Sequence, residues 1–142
     1  MGDRLYIGID LGTFQSTIAT SKGDIHTIET VVGTPKDPVA RNMLGRDTLF
    51  GEDALKNRLA CDIYRPLAAG VAQDDSEHLN AARDFVTHLI DTAGCDEYDE
   101  VYGVICSPSH ISFTDKTNLV SILRGKLTAI MVVSEPFAVA FA

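Results

Sequence analysis

Hydrophobic and polar residues alternate in short runs near the start of the chain. The runs at residues 4–10, 14–20 and 25–32 each fit a β-strand, and the first is apolar enough to predict a central strand. Gly23, in the turn at residues 21–24, can adopt the positive φ of a tight turn. Three strands that follow one another without a helix predict an antiparallel meander.

The second half of the chain alternates between helical and strand patterns. Leu79, Val86 and Leu89 recur at helical spacing, which predicts a helix over about 75–93 that ends at Gly94. Apolar runs at 101–106 and 129–134 predict buried strands, with a helix at 113–125 between them. Another helix is predicted to begin at Glu135, where Pro136 occupies the favoured first turn.

The middle of the chain has a different composition. Gly33, Pro35 and Pro38 are predicted to interrupt regular structure, and residues 44–55 favour a short hairpin before a helix at about 52–60. The segment 63–71 is predicted to be irregular. The order β-β-β, insertion, α-β-α-β-α predicts an α/β fold with a mixed sheet, from which residues 33–74, or 33–100, make an excursion.

Composition narrows the class of protein. The chain has 142 residues, 45% of them hydrophobic, which suits one domain with a real core. Its net charge of -8 argues against a nucleic-acid groove or an anionic membrane surface as partner. From the short apolar runs we expect no signal peptide and no membrane span, and the three cysteines lack C-x-x-C spacing. These features predict reduced thiols in the cytoplasm.

The turn after the first strand contains candidate chemistry. Asp10 ends the apolar strand, Gly12 would allow close approach of a ligand, and Thr13 supplies a hydroxyl donor, with Gln15 and Ser16 extending the polar lining. A single carboxylate suits hydrated Mg²⁺, which keeps most of its waters. The alternative is a tight hairpin whose aspartate only caps the turn.

Three segments resemble the actin, sugar-kinase and heat-shock-chaperone ATPase superfamily. IGIDLGT at residues 7–13 is similar to its first phosphate motif, RPLAAGV at 65–71 resembles a segment of bacterial actins, and VVSEPFAVAFA at 132–142 resembles their connecting helix. Among bacterial actins the chain most resembles the MamK-like actins of magnetosome-forming bacteria. The resemblance covers nearly all of the chain.

The resemblance implies an actin-like (ribonuclease H-like) ATPase fold, truncated to its first domain with an inserted small subdomain. Residues 1–32 and 101–142 correspond to subdomain IA and residues 33–100 to the inserted subdomain IB. A second phosphate loop and a glycine-rich adenosine loop, both present in the family, do not occur in this sequence. The chain therefore resembles the N-terminal portion of a MamK-like actin.

The resemblance also implies ATP and Mg as cofactors and gives roles to individual residues. Asp10 would lie beside the Mg²⁺ through water, and Gly12, Thr13, Phe14 and Gln15 would form the phosphate hairpin. Phe14 replaces a small or polar residue, and either packs against the core or narrows the pocket.

Glu135 matches the family acid that orients the attacking water, which would make it the catalytic residue. Without any chemistry, an acid at a helix start is also favoured by the helix dipole.

The function that the resemblance implies is that of a cytoskeletal ATPase. The full-length parent would bind ATP, self-associate into cytoplasmic filaments and work with magnetosome-associated proteins in aligning and segregating magnetosomes, without nucleic acid or direct membrane insertion. A small-molecule kinase or chaperone-like ATPase of the same superfamily, and a non-catalytic interaction fragment, remain alternatives. Whether this stretch is itself an enzyme stays open.

Two further groups of residues are interpreted as structural. The histidines at positions 26, 78, 88 and 110 are scattered, with no metal-ligand spacing, and are interpreted as surface or strand residues. Met43, Met131 and the six phenylalanines are predicted to belong to the core.

Overall fold

The chain has an α/β fold, seen in a computed structural model that describes residues 3–68, 71–72, 76–107 and 113–134. Its strands are β1 (Arg4–Leu11), β2 (Gln15–Thr20), β3 (Ile25–Glu29), β4 (Val32–Pro35), β5 (Leu49–Phe50), β6 (Cys61–Tyr64), β7 (Leu67–Ala68), β8 (Val71–Ala72), β9 (Glu100–Ser107) and β10 (Ala129–Ser134). Its helices are α1 (Pro38–Leu44), α2 (Gly51–Lys56), α3 (Ser76–Thr92) and α4 (Phe113–Leu123).

A five-stranded mixed sheet organises the molecule, in the order β10-β9-β1-β2-β3. The predicted meander is confirmed, because β1, β2 and β3 pair antiparallel. The strands β9 and β10 continue the sheet in parallel on the other side of β1. The first strand is therefore central, as its apolar composition predicts.

The core lies on one face of this sheet. Alternate residues of β1 are buried there, and side chains of α3 and α4 pack on them, including Phe85 and Leu119. Both crossovers, from β1 to β9 and from β9 to β10, step in the same direction across the sheet. Right-handed connections that step in one direction place their helices on one face, so both helices lie together.

The opposite face of the sheet exposes apolar side chains. Tyr6 and Tyr102 stack there with ring centroids 5.5 Å apart, beside exposed Val104 and Met131. A shallow depression of about 560 Å³ lies over these strands.

The prediction that the methionines and phenylalanines all belong to the core is wrong for four of them. Met43, Met131, Phe14 and Phe113 are exposed, whereas Phe85 is fully buried. Residue type alone did not decide burial, because burial depends on which face of its element a residue occupies.

The predicted third strand over 25–32 is wrong at its end. β3 stops at Glu29, and Val32–Pro35 forms β4 in a second sheet of order β5-β4-β6. Gly33 and Pro35 therefore lie within a strand instead of interrupting one. Pro35 is tolerated because β5 pairs only with Val32 and Gly33, so that β4 has a neighbouring strand on one side alone at Pro35. A Cβ on Gly33 would lie 3.1 Å from the Ala54 Cβ, so the glycine allows α2 to pack closely.

The helix α1 was not predicted, because Pro38 was interpreted as a breaker. Pro38 instead occupies the first turn of the helix, where its missing N–H costs nothing. The Asp37 carboxylate accepts a hydrogen bond from the Ala40 N–H at 2.7 Å, and Gly45 ends the helix with φ of 65°. A proline after a capping residue marks a helix start.

Three other predictions for the middle of the chain are wrong. The expected local hairpin at 44–55 does not form, because β5 pairs with the distant β4, and the helix predicted over 52–60 spans only Gly51–Lys56. The stretch 63–71, predicted to be irregular, includes the end of β6, all of β7 and the start of β8. β5 and β6 pair with β4, which is distant in sequence, whereas β7 and β8 pair locally but are only two residues long each.

The two later helices agree with the sequence pattern. α3 and α4 lie within the predicted ranges, and Gly94 and Gly125 adopt positive φ near their ends. The helix predicted from Glu135 lies outside the described residues. In the part of the chain that the structure describes, no helix is long and apolar enough to cross a membrane. The division into 1–32 with 101–142, and 33–100, stays a prediction.

Candidate functional site

A tight turn joins β1 to β2 at residues 12–14. A Cβ added to Gly12 would lie 2.3 Å from the backbone carbonyl oxygen of Gln15, far inside contact distance. The turn therefore requires glycine for its own geometry, whether or not a ligand approaches it.

The Asp10 carboxylate lies just before this turn, at the exposed side of the central strand. Its neighbours in register are Thr17 on β2 and Cys106 on β9. Among the described residues it forms no hydrogen bond or ion pair, so it does not cap the turn. An exposed carboxylate without a protein partner is available to a cation and its waters.

The carboxyl ends of the parallel strands lie at the same edge of the sheet as this turn. Asp10 pairs in register with Cys106 near the end of β9, and Ser107 pairs in register with Ser134, the last residue of β10. In open α/β sheets, ligands bind outside the carboxyl ends of the strands. Glu135 directly follows Ser134 in sequence but lies outside the described residues, so the structure does not place its carboxylate.

Phe14 lies at the tip of the turn. Its ring is 69% exposed, which excludes packing against the core. The guanidinium of Arg65 lies over the ring, 5.2 Å from its centroid, within the range of a cation–π contact. The aromatic ring thus holds a positive charge beside the turn. Gln15 is exposed at the start of β2.

The prediction that Ser16 extends the polar lining of the turn is wrong, because its side chain is buried behind the turn and pairs there with Thr30, a residue that the sequence pattern did not indicate. Ser16 Oγ and Thr30 Oγ1 lie 2.8 Å apart, and the Thr30 hydroxyl donates to the Gly12 carbonyl at 2.8 Å. A signal was available: Ser16 shares the inward-facing parity of Ile18 on β2, and a buried hydroxyl requires a partner.

The donor set suits a hydrated magnesium ion more than a directly caged metal. Within the described ranges, no three His, Cys, Asp or Glu side chains cluster closely enough to hold an ion. Mg²⁺ commonly uses one or two carboxylates and retains several waters. The single carboxylate of Asp10 fits that arrangement.

The clearest pKa shifts occur away from the turn. Burial raises the pKa of the Cys95 thiol to about 11, and burial also raises the pKa of Cys61. Burial lowers the pKa of His88, which stacks on Phe50 with ring centroids 4.2 Å apart. These groups lie in packed parts of the fold, so their shifts report burial and do not mark a second reactive centre.

No protein-family profile matches the chain, but individual proteins do. It is 35% identical over 140 residues to the actin-like protein MamK of Magnetospirillum gryphiswaldense, covering 98% of this chain and 39% of that protein. It is 31% identical over 134 residues to a MamK-like protein of Paramagnetospirillum magneticum, covering 94% of this chain and 40% of that protein. The chain thus spans about two fifths of the length of these relatives.

Solved structures agree with these matches. A MamK double helical filament superposes with a TM-score of 0.92 at 34% identity, over 98% of this chain and 43% of that one. A non-polymerising MamK mutant bound to AMPPNP gives 0.88 at 33% identity, over 99% and 44%. MreB5 of Spiroplasma citri, at 17% identity with a TM-score of 0.72 over 93% and 38%, shows the shared fold. The chain is therefore homologous to the MamK actin-like proteins and has the actin-like fold over the stretch that it spans.

Proposed function

We propose that this chain forms part of an ATP-binding, filament-forming actin-like protein of the MamK type. The observation that carries the proposal is the exposed carboxylate of Asp10, which has no partner among the described residues and lies beside the glycine turn at the carboxyl edge of the parallel strands. The homologous MamK mutant bound to AMPPNP supports a nucleotide as the ligand.

The residues have distinct proposed roles. Asp10 would hold Mg²⁺ through water, while backbone amides of Gly12, Thr13, Phe14 and Gln15 would bind phosphate oxygens. Bound Mg²⁺ neutralises charge on the phosphates and helps to orient them. Glu135, by its match to the family acid, would orient the water that attacks the terminal phosphate.

Assembly is the second part of the proposal. Filament structures of homologous MamK support self-association of the full-length protein. A role in aligning and segregating magnetosomes, cooperation with magnetosome-associated proteins and a cytoplasmic location follow from the relationship to MamK. The net charge of -8 favours neither nucleic acid nor an anionic membrane surface as a partner. We also propose that residues 33–100 form the inserted subdomain.

Substitution of Asp10 tests the nucleotide site in the 142-residue chain. We expect Asp10→Ala to weaken binding of AMPPNP in the presence of Mg²⁺ by about tenfold or more, equivalent to ~1.4 kcal/mol, and to change binding in EDTA much less. The reason is that the carboxylate acts through the metal. Titrations followed by ¹⁵N NMR give both the affinity and the responding amides.

The matched control is Asp62→Ala, which removes an exposed strand carboxylate from β6 in the second sheet. It should leave affinity and its Mg²⁺ dependence unchanged. The proposal fails if millimolar Mg·AMPPNP moves no amide near residues 10–15, or if Asp10→Ala binds equally well under both conditions.

A further inference from the structure

Thr30 joins the two sheets and bonds to three residues of the β1–β2 hairpin. Its side chain is fully buried between the end of β3 and the start of β4. Its N–H donates to the Phe14 carbonyl at 2.8 Å, and its hydroxyl contacts the Gly12 carbonyl and the Ser16 hydroxyl, each at 2.8 Å. One buried threonine thus connects both sides of the turn.

The chemistry of the groups determines the direction of these hydrogen bonds. A carbonyl can only accept, so the single hydroxyl proton of Thr30 goes to the Gly12 oxygen. The Ser16 hydroxyl must therefore donate to Thr30 Oγ1. Ser16 is itself buried, so the chain Ser16 to Thr30 to Gly12 satisfies hydroxyls that would otherwise be costly to bury.

These bonds orient two peptide groups of the turn. In a planar trans peptide, the carbonyl of one residue and the N–H of the next point in opposite directions. With the Gly12 and Phe14 carbonyls directed at Thr30, the N–H groups of Thr13 and Gln15 are directed away from it. Both belong to the turn to which we assign phosphate binding.

We propose that Thr30 is a positioning residue for the nucleotide, since it holds the peptide groups of the turn so that their N–H groups face the phosphates. The inference rests on the proposed function and adds to it a residue that does not touch the ligand. Thr30 acts only through the backbone of residues 12–15.

The test compares three variants of the 142-residue chain by ¹⁵N NMR titration with Mg·AMPPNP. Thr30→Val keeps the shape and the N–H but removes the hydroxyl, and it should weaken binding about tenfold, as loss of one buried hydrogen bond can do. Thr30→Ser keeps the hydroxyl and should bind within about twofold of the unmodified chain. Thr27→Val is the matched control, because it breaks an exposed hydroxyl pair between β2 and β3, with Thr17 at 2.9 Å, and lies on a strand that does not adjoin the strand of Asp10.

The unliganded spectra give a second readout. The amide signals of Thr13 and Gln15 should shift in Thr30→Val and stay near their original positions in Thr27→Val. Thr30→Val leaves the Ser16 hydroxyl without a buried partner. If that variant does not fold, the double variant Ser16→Ala with Thr30→Val is used in its place. It removes both hydroxyls, so neither is left buried without a partner.

The outcomes separate this inference from the proposed function. If the unmodified chain shows no response to Mg·AMPPNP, the proposed function fails and this inference fails with it. If the unmodified chain binds but the folded valine variant binds equally well, only the role of Thr30 is overturned. A lower melting temperature with unchanged affinity would show that Thr30 is merely structural.

Discussion

At the scale of single residues, buried polar groups are consistently paired. Ser16, Thr30 and Ser107 are the buried polar side chains among the described residues, and each forms a hydrogen bond. Within this part of the chain, no buried side-chain nitrogen or oxygen lacks a partner. Asp10 contrasts with them, because its carboxylate is exposed and forms no hydrogen bond or ion pair within the described ranges. This contrast distinguishes the polar residues that stabilise the fold from Asp10, the carboxylate proposed to hold Mg²⁺ through water.

The pKa shift of His88 predicts a pH dependence of stability. Burial lowers its pKa below the ordinary value of 6.5, although nearby Asp91 acts in the opposite direction. Below about pH 6.5 the unfolded chain binds this proton more readily than the folded one. We therefore expect its stability contribution to be complete above pH 6.5 and to be lost as the pH falls towards the lower, folded pKa.

His88→Phe tests this expectation, since it keeps an aromatic ring against Phe50 and cannot titrate. Thermal melts of the variant between pH 7 and pH 5 should fall less steeply than those of the unmodified chain. His26→Phe, on the edge strand β3, is the control and should retain the original slope. Equal slopes for all three proteins would exclude His88 as the cause.

At the scale of elements, two glycines begin or end helices with the same backbone conformation. Gly51 starts α2 with φ of 57°, and Gly45 follows α1 with φ of 65°. Their surroundings differ: a Cβ at Gly51 would lie 2.7 Å from Ile28 Cγ2, whereas nothing lies within 4 Å of one at Gly45. Gly51 therefore allows α2 to approach β3, because it has no Cβ to collide with Ile28.

Alanine at each position separates backbone strain from packing. Gly45→Ala should cost about 1–2 kcal/mol of unfolding free energy, the usual penalty for a left-handed non-glycine residue. Gly51→Ala should cost more, because the methyl group also displaces Ile28. Urea denaturation of both variants measures the difference, and equal losses would show that the contact with Ile28 relaxes freely.

At the scale of the whole molecule, the large sheet has two different faces. One is covered by α3 and α4, and the other exposes Tyr6, Val104 and Met131. Asp10 and the turn lie at the carboxyl edge, so the described residues contribute one wall of the candidate nucleotide site. A nucleotide there would be contacted from one side by these residues.

We expect the 142-residue chain to have no appreciable ATPase activity. Phosphoryl transfer depends on groups that enclose and orient the triphosphate, and this sequence contains neither a second phosphate loop nor an adenosine loop. The measurement is phosphate release under saturating Mg·ATP, with Asp10→Ala purified in parallel as the background. Steady release by the unmodified chain above that background would contradict the prediction.

The sequence determined the large sheet and its helices more fully than it determined the second sheet. The meander β1–β3, the strands β9 and β10 and the helices α3 and α4 were predictable, because each is an alternating, amphipathic or continuously apolar segment long enough to recognise. The expectation that residues 129–134 form a buried strand is wrong in one respect, since β10 is an edge strand without a fully buried residue. The turn at Asp10 and Gly12 was visible for a similar reason, since a carboxylate and a glycine interrupt an apolar run. The homologous MamK proteins agree with the family resemblance that these motifs predicted.

Only the tertiary structure decided the second sheet and the support behind the turn. β4, β5 and β6 are two to four residues long, too short for a period, and they pair with strands far apart in sequence. In the sequence, Thr30 resembles an ordinary strand residue. In the fold, its hydroxyl lies 2.8 Å from the carbonyl oxygen of Gly12, which is eighteen residues away. Local sequence determines which residues can be buried or can bond, whereas the partner of each depends on long-range packing that no short pattern contains.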